Sequence, residues 1–455
     1  MELTDFEIMA PVGSRESLAA AIQAGADSIY FGIERLNMRA HSASAFTIDD
    51  LREIAQTCRE HGMKSYLTVN TIIYQEDLEL MRQIIDAARE AGISAIIASD
   101  VAVMQYCRGE RREERGERNV ERGERNVESG ERSVEVHLST QLNISNVEAL
   151  RFYAQFADVV VLARELNIRQ VRAIYDAIQQ DRICGPKGEL IRIEMFCHGA
   201  LCMAVSGKCY LSLMNAGRSA NRGECMQLCR RSYLVRDKET ETELEVDGPY
   251  IMSPKDLKTI RFLDKLVDAG VRVFKIEGRA RGPEYVRTVV ECYREAIDLK
   301  LEIEHGEAGA ETTAGAGKPD FGHPAFAGRL DAWDERLKTV FNRGFWDGYY
   351  QGQLLGEWSQ TYGSQTTERK VYVGRGTKYY SRLGLGEFHI EATELHVGDK
   401  FLVTGPTTGA IYGIIEEMHD DTNLPVEVAR QGANVSFRVE TKIRPSDKLF
   451  RIDKV

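Results

Sequence analysis

Residues 6–31 read FEIMAPVGSRESLAAAIQAGADSIYF and contain the pattern on which the fold prediction rests. The apolar run 6–10 indicates a buried strand, and 28–31 indicates a second one. Between them, 15–24 has the apolar spacing of a helix and follows Ser14, a residue type preferred at helix N-caps. A strand, a helix and another strand of this length are the repeating unit of a parallel sheet.

The same alternation continues far beyond this first unit. The predicted strands are 6–10, 28–31, 64–69, 94–98, 134–138, 159–162, 191–196 and 271–276. The predicted helices are 15–24, 48–61, 77–90, 146–155, 168–179 and 284–299. Eight strands in this arrangement predict an α/β fold, a TIM-like (β/α)8 barrel. A doubly wound sheet would need a phosphate loop of the GxGxxG kind after its first strand, and APVGSRES at 10–17 is not one.

The barrel prediction has a consequence for the site, because active residues of such barrels lie at the carboxyl ends of the strands. Polar residues follow several of the predicted strands and are expected to converge on one rim. They are Asn70, the run from Ser139 to Gln141, Arg164 with Glu165, and Glu277 with Arg279.

One of these strand ends leads into the cysteine segment, residues 197–229, which reads CHGALCMAVSGKCYLSLMNAGRSANRGECMQLC and holds five of the nine cysteines. After Cys197 come Cys202, then Cys209 after six residues, Cys225 after fifteen and Cys229 after three. Disulfides would require an oxidising compartment. Structural zinc usually uses two CxxC-type knuckles, and free buried thiols pack as small hydrophobes. An iron–sulfur cluster tolerates irregular spacing, and the spacing favours this fourth interpretation.

The rest of the chain divides by composition. Residues 108–135 form a seven-residue repeat, RGERREE, RGERNVE, RGERNVE, SGERSVE, with too few apolar positions for a coiled coil. It is predicted to be a solvated insertion whose glutamates nearly balance its arginines. The predicted organisation is a catalytic barrel domain at 1–305 containing that insertion, a linker at 306–320, a connecting helical segment at 321–369 and a small C-terminal β-barrel domain at 370–455.

Charge distribution distinguishes the cysteine segment from its surroundings. The formal net charge is −11, which argues against a generally basic nucleic-acid-binding surface. Between Met203 and Tyr233, however, five basic side chains face a single acidic one, Glu224. This reversal suits phosphate or carboxylate recognition, and it equally suits compensation of an anionic cluster. With no apolar run of membrane-spanning length and no signal peptide, a cytoplasmic location is expected.

Several motifs together resemble the U32 family, historically called collagenase-like peptidases, and within it the branch of tRNA hydroxylation proteins. They are HGALC, SGKC and NRGEC in the cysteine segment, APVGS at 10–14, AGADSIYFG at 24–32, LNMRA at 36–40, HLSTQ at 137–141 and KIEGRAR at 275–281. The resemblance implies a [4Fe-4S] cluster on Cys202, Cys209, Cys225 and Cys229. It also implies oxygen-independent hydroxylation of the wobble uridine of tRNA to 5-hydroxyuridine, with prephenate as co-substrate.

Under this hypothesis, Glu277 and His198 would transfer protons. The predicted substrate-binding residues are Arg39, Arg279 and Arg281 for the dicarboxylate, Asn70 and Gln141 on the rim, and Arg222 and Arg230 for tRNA. A peptidase is the alternative, although HExxH and GxSxG are absent and only a cysteine nucleophile beside His198 would remain. A hydroxylase of another RNA or of a quinone precursor is a further alternative.

Overall fold

The computed structural model describes residues 3–38, 46–109, 134–231, 233, 236, 238–240, 252–305, 321, 326, 328–360 and 363–455. The predicted linker 306–320 and most of the predicted insertion lie outside the described residues, as does Arg39.

Ten strands form the first sheet: β1 Glu7–Pro11, β2 Ser28–Phe31, β3 Lys64–Val69, β4 Ala95–Ala98, β5 Glu135–Leu138, β6 Val159–Val161, β7 Arg192–Gly199, β8 Asp256–Lys258, β9 Val271–Ile276 and β10 Phe345–Trp346. Strands β1 to β7 and β9 are parallel, and β9 pairs with both β1 and β7, which closes the barrel. Strand β8 pairs antiparallel with β7 and carries β10 on its other edge. The predicted α/β fold with a TIM-like barrel is confirmed.

In the described residues, ten α-helices accompany these strands: α1 Arg15–Gln23, α2 Leu51–Glu60, α3 Leu78–Ala91, α4 Val101–Cys107, α5 Val147–Ala154, α6 Ile168–Gln180, α7 Leu211–Ala216, α8 Leu263–Asp268, α9 Pro283–Glu304 and α10 Arg329–Lys338. Local capping interactions determine where these helices begin and end. Ser14 caps α1 by accepting a hydrogen bond from the Ser17 amide at 3.2 Å, and Gly92 ends α3 in the left-handed region. No helix in the described part of the chain is long and apolar enough to cross a membrane.

The barrel strands alternate between two environments. Outward residues such as Ile8 and Leu67 join the large core beneath the helices, whereas Met9, Tyr30 and Tyr66 form a separate cluster inside the barrel. The interior also holds charged groups, which are unusual where branched apolar side chains normally fill the space. These interior charges are Glu7, His137, Glu194 and Lys275.

The structure corrects the ends of the predicted insertion. Arg108 belongs to the end of α4, where its guanidinium donates to the Gln155 carbonyl at 2.5 Å, and Glu135 begins β5. The Val134 amide donates to the Cys107 carbonyl at 3.2 Å. The two ends of the insertion therefore lie side by side.

The C-terminal region is an antiparallel β domain with nine strands: β11 Glu368–Tyr380, β12 Leu385–Ile390, β13 Leu395–His396, β14 Lys400–Gly405, β15 Gly409–Ile414, β16 Met418–Asp420, β17 Val428–Ala429, β18 Asn434–Arg438 and β19 Lys448–Lys454. Seven of them form one sheet in the order β15-β14-β19-β11-β12-β18-β16, and β13 pairs with β17. Phe388 and Phe437 stack at 4.7 Å in its own core. Among the described strands, no pairing joins the edges β15 and β16 of the predicted β-barrel.

Gln23 at the end of α1 attaches this domain to the (β/α)8 barrel. Its side chain donates to the Thr408 carbonyl at 2.7 Å and accepts from the Ala410 amide at 3.0 Å. Gly409 between them has φ of +68°, and a Cβ there would lie 2.3 Å from Gln23 Oε1. The junction therefore requires glycine at this position.

Candidate functional site

A cavity of about 260 Å³ lies at the carboxyl ends of the barrel strands. Its floor is formed by side chains at the ends of the strands, including Tyr30, Thr68 and Lys275, and its roof by the cysteine segment. The strand ends thus provide one wall and the loop after β7 provides the other, as expected for this fold.

Cys202, Cys209, Cys225 and Cys229 all line this cavity. Burial raises the pKa of the Cys229 thiol, Arg230 opposes that effect, and the other three thiols each raise it further. Such electrostatic coupling requires the four sulfur atoms to lie near one another. The structure therefore brings together the four cysteines that the family resemblance implied.

The spacing of the four thiols bears on which group they fit. Within the described residues, no three Cys, His, Asp or Glu side chains come together closely enough for one metal ion. Thiolates on a single zinc ion lie about 4 Å apart, because each Zn–S bond is about 2.3 Å long. A cubane cluster carries one thiolate on each of four irons, which spreads the ligands wider. Four thiols around one cavity are a donor set that a [4Fe-4S] cluster can use.

Glycine and short helices shape the cysteine segment. Helix α7 ends at Gly217, whose φ of +65° suits glycine best and whose amide donates to the Leu213 carbonyl at 2.9 Å. Gly207 has φ of +77°, and a Cβ there would meet Gln141 at 3.0 Å. The backbone at Gly207 therefore packs directly on a rim residue.

Arg222 anchors the cysteine segment to the loop after β3. Its guanidinium donates to the Ile72 carbonyl at 2.8 Å and to the Asp77 carboxylate, and it lies over the Tyr74 ring at 4.1 Å. The hydrogen bond with Asp77 raises the pKa of Arg222. Arg222 was predicted to contact tRNA, but the structure directs its guanidinium into the protein.

Arg230 forms a second anchor. It donates to Ser253 Oγ at 2.9 Å, to the Pro254 carbonyl at 2.8 Å and to the Leu201 carbonyl at 2.6 Å. These bonds tie the end of the cysteine segment to its beginning and to the chain before β8. The predicted tRNA contact of Arg230 is therefore replaced by a structural role.

The cavity lining is strongly cationic. Among the described residues, its basic side chains are Arg164, Arg230, Lys275, Arg279, Arg281 and Arg343, and its one carboxylate is Glu277. Burial, followed by the charge of Arg343, lowers the pKa of Arg281 to about 10. Arg343 also acts on Arg230, so these three guanidinium groups lie close together. Such a group suits an anionic ligand.

The predicted substrate residues differ in how firmly they are held. Arg279 donates to Thr68 Oγ1 at 2.9 Å and to Asn37 Oδ1 at 3.3 Å, whereas Arg281 stacks over the Phe341 ring at 3.4 Å. Both line the cavity.

Asn70 and Gln141 also line the cavity, and they form a reciprocal pair. Asn70 Nδ2 donates to Gln141 Oε1 at 2.9 Å, and Gln141 Nε2 donates to the Asn70 carbonyl at 2.8 Å. Ser139 Oγ donates to the same Gln141 oxygen at 2.7 Å. The pair fixes polar atoms of two strand ends at the cavity edge.

Glu277 is the one predicted proton-transfer residue that reaches the cavity. Tyr30 OH donates to its Oε2 at 3.1 Å. His198 instead lies in the core, with its ring 5.4 Å from Phe345 and 5.7 Å from Tyr293. Burial, together with Lys258, lowers the pKa of His198 to about 3.

An irregularity in β7 explains the misplacement of His198. Simple alternation from Glu194 would turn His198 into the barrel, but the pairing with β9 shifts between Phe196 and His198. This bulge turns His198 outward, to the side that Cys197 already faces. Cys197 Sγ lies 3.4 Å from the Lys275 carbonyl, away from the other four thiols.

Two charged residues of the cavity, Lys275 and Arg343, were not predicted from the sequence to belong to the site. Lys275 precedes Glu277 by two residues on β9, and this spacing could have indicated a shared face. Arg343 comes from the chain just before β10, and no local motif marks it.

Comparisons with known proteins agree with this architecture. A family model described as peptidase family U32 matches residues 13–113 and 126–360. The chain is 59% identical over 454 residues to a protein named collagenase from Porphyromonas gingivalis (strain ATCC BAA-308 / W83), covering 100% of this chain and 99% of the relative. It is 30% identical over 464 residues to tRNA hydroxylation protein P1 of Bacillus subtilis (strain 168), covering 97% and 94%.

A third relative is the 23S rRNA 5-hydroxycytidine C2501 synthase of Escherichia coli (strain K12), which is 33% identical over 297 residues, covering 65% of this chain and 40% of the relative. The family model matches well over half of the sequence on both sides of the repeat insertion. The chain belongs to peptidase family U32.

Proposed function

We propose that this protein is an RNA-modifying enzyme that hydroxylates a pyrimidine, namely the wobble uridine of tRNA, to give 5-hydroxyuridine. The observation that carries the proposal is the single cavity in which four thiols, a group of arginines and one carboxylate meet. Relatives named for tRNA hydroxylation and for 5-hydroxycytidine synthesis in rRNA support RNA as the substrate class.

The four cavity cysteines are the proposed ligands of a [4Fe-4S] cluster. Their shared cavity supports this assignment. When bound, such a cluster would supply electron-transfer capacity beside the substrate. The two anchors, Arg222 and Arg230, would keep the ligand loop in place over the barrel.

The arginine group is the proposed site for prephenate, a small dicarboxylate. Arg281 and Arg343 lie close together on one side of the cavity, and Arg279 is oriented by Thr68. Guanidinium groups bind carboxylates by paired hydrogen bonds, and a second carboxylate needs a second such partner. Two carboxylates can therefore be matched by this lining.

The pyrimidine would approach the polar rim. Asn70 and Gln141 present amide groups that can recognise a base edge, and Glu277 is the proposed proton acceptor. The exposed cations Lys208, Arg218 and Arg231 on the outer surface of the cysteine segment are the proposed phosphate contacts.

A peptidase is the second candidate because one relative is named collagenase. A cysteine nucleophile needs a neighbouring base, most often histidine. No histidine lines the cavity in the part of the chain that the structure describes, and His198 lies outside it. The geometry therefore favours hydroxylation over peptide hydrolysis.

Nucleoside mass spectrometry of tRNA tests the proposed function. The gene is deleted, with any second family member also removed, and complemented with wild type, Cys225→Ser or Cys184→Ser. Cys184 lies near the end of α6, outside the cavity, and is the matched control. We expect 5-hydroxyuridine-derived nucleosides with wild type and Cys184→Ser and none with Cys225→Ser. Unchanged nucleosides in the deletion strain would exclude this function, and cleavage of collagen peptides would then be assayed.

Calorimetry with prephenate separately tests the proposed prephenate site at the arginine group. Arg281→Gln should weaken binding about 10- to 100-fold, because a charge-assisted contact contributes about 1.5–3 kcal/mol. Arg382→Gln, an exposed change in the C-terminal domain, should bind as wild type does. Equal affinity of Arg281→Gln and wild type would remove Arg281 from the site.

A further inference from the structure

The inside of the barrel contains a chain of buried ionisable groups that leads to the cavity. Lys275 Nζ donates to Glu194 Oε1 at 2.6 Å. The other oxygen of Glu194 lies 3.5 Å from His137 Nδ1, and His137 Nε2 lies 3.4 Å from Glu135 Oε1. Glu194 is 0% exposed and His137 is 1% exposed. Only Lys275 of these four residues lines the cavity.

The surroundings of these buried groups determine which of them are charged. Burial acts to raise the pKa of Glu194, but Lys275 and His137 outweigh it and the pKa is lowered. For His137, burial acts to lower the pKa, but Glu135 and Glu194 outweigh it and the pKa is raised. Glu194 is therefore a carboxylate held between two cations. The other charged or titratable groups facing this network include Glu7, Lys64, Tyr66, Asp158, Lys187 and Arg192.

Lys275 is also coupled to the predicted base. It lies two residues before Glu277 and on the same face of the barrel wall, where both line the cavity. Its Nζ is 4.5 Å from the centre of the Tyr30 ring, and the hydroxyl of the same tyrosine donates to Glu277. Lys275 near the end of β9 and Glu277 just after it therefore place a positively charged donor and a carboxylate side by side in the cavity. Groups whose environments differ in this way are typical of paired acid and base roles.

We propose that Lys275 is a catalytic residue that donates a proton to the bound substrate, and that Glu194 and His137 are positioning residues for it. The inference rests on the proposed function and adds the acid that the reaction uses. In the step, an N–H bond of the Lys275 ammonium breaks and an O–H bond forms on a carbonyl oxygen of the bound pyrimidine. A neutral amine remains, and it takes the proton back when the carbonyl group re-forms in the product. The step involves no change in electron count.

A stabilising role alone would also place charges in pairs, so the two roles must be separated by experiment. Removing one member of a buried pair leaves the other charge uncompensated and destabilises the fold. The double variant Lys275→Gln with Glu194→Gln removes both charges and avoids that penalty. Lys64→Gln is the matched control, because Lys64 contacts Glu7 rather than Lys275, Glu194 or His137 and does not line the cavity.

The test uses iron-loaded protein prepared without oxygen, with tRNA and prephenate, and measures 5-hydroxyuridine formation as a function of pH. The double variant should keep its iron and its tRNA affinity within about twofold, while kcat falls about 100-fold or more, as expected for loss of a general acid. His137→Gln should lower kcat several-fold and move the alkaline limb of the kcat profile to higher pH, because Glu194 is then left to the Lys275 ammonium alone. Lys64→Gln should match wild type in both.

The outcomes distinguish a failure of the proposed function from a failure of the proposed role of Lys275. Wild-type protein that forms no product would contradict the proposed function and this inference with it. An active wild type together with a fully active double variant would contradict only the role of Lys275. A His137→Gln profile identical in shape and position to wild type would overturn the positioning role of the buried chain.

Discussion

The barrel wall and the cysteine segment face the same cavity, but their side chains are held in different ways. Wall residues such as Thr68 and Lys275 lie on strands or at strand ends whose positions are fixed by the ladder of backbone hydrogen bonds. The cysteine segment contains one helix of six residues and is held mainly by the side chains of Arg222 and Arg230. A change in the wall should therefore alter chemistry locally, whereas a change in an anchor should disturb the whole ligand loop.

The largest difference in cluster content and tRNA modification is expected between the variants Cys225→Ser and Cys197→Ser. Cys225 lines the cavity, whereas Cys197 faces outward from β7 and is buried in the wall. We expect Cys225→Ser to lose the cluster and all tRNA modification, and Cys197→Ser to keep both with a modest loss of stability, about 1 kcal/mol. Iron analysis and nucleoside mass spectrometry measure the two effects. If Cys197→Ser folded normally but lost its iron, Cys197 would belong with the cluster ligands and not with the barrel wall.

Arg230→Ala tests the anchors. Three hydrogen bonds to one partly buried guanidinium are lost, so we expect destabilisation of about 2–4 kcal/mol and faster loss of iron. The neighbouring exposed Arg231 provides the control. Arg231→Ala should change stability by less than about 0.5 kcal/mol but weaken tRNA binding and reduce its salt dependence. Thermal unfolding and binding at several salt concentrations distinguish the two variants, and the reverse pattern would contradict the anchor role.

The buried network makes stability depend on pH. The folded pKa of His137 is raised above its ordinary value of 6.5, so its contribution is complete below that pH and is lost as pH rises through the raised pKa. The Tm of wild type should fall as pH rises above 6.5 and through the raised pKa of His137, and His137→Gln should show a shallower fall. Parallel curves for the two proteins would mean that His137 is neutral in the folded state.

Deletion of residues 110–133 should have the smallest effect. The ends of the insertion already meet through the Val134 amide and the Cys107 carbonyl, so a short join from Gly109 needs little rearrangement. We expect a change in unfolding free energy below about 1 kcal/mol and near-normal activity. A large drop in Tm would show that the insertion packs on the barrel, and deletion of 108–133 should cost more because Arg108 contacts Gln155.

The same contrast explains what the sequence could predict. All eight barrel strands were located, because a buried parallel strand is a local apolar run between turn residues. Cavity residues that extend such a strand, Glu277 and Arg279, followed from the strand ends. His198 was misplaced because a one-residue bulge has no signature in composition. The anchor roles of Arg222 and Arg230 were missed because their partners are distant in sequence and are mostly backbone carbonyls.

The metal content of protein purified without oxygen tests the central claim most directly. Four coupled thiols over a barrel cavity are proposed to bind a cubane cluster, so we predict about four irons and about four sulfides per chain, with a broad visible absorption shoulder. The Cys225→Ser variant should lose them, and Cys184→Ser should not. One tightly bound zinc per chain, with no iron or sulfide, would contradict the account.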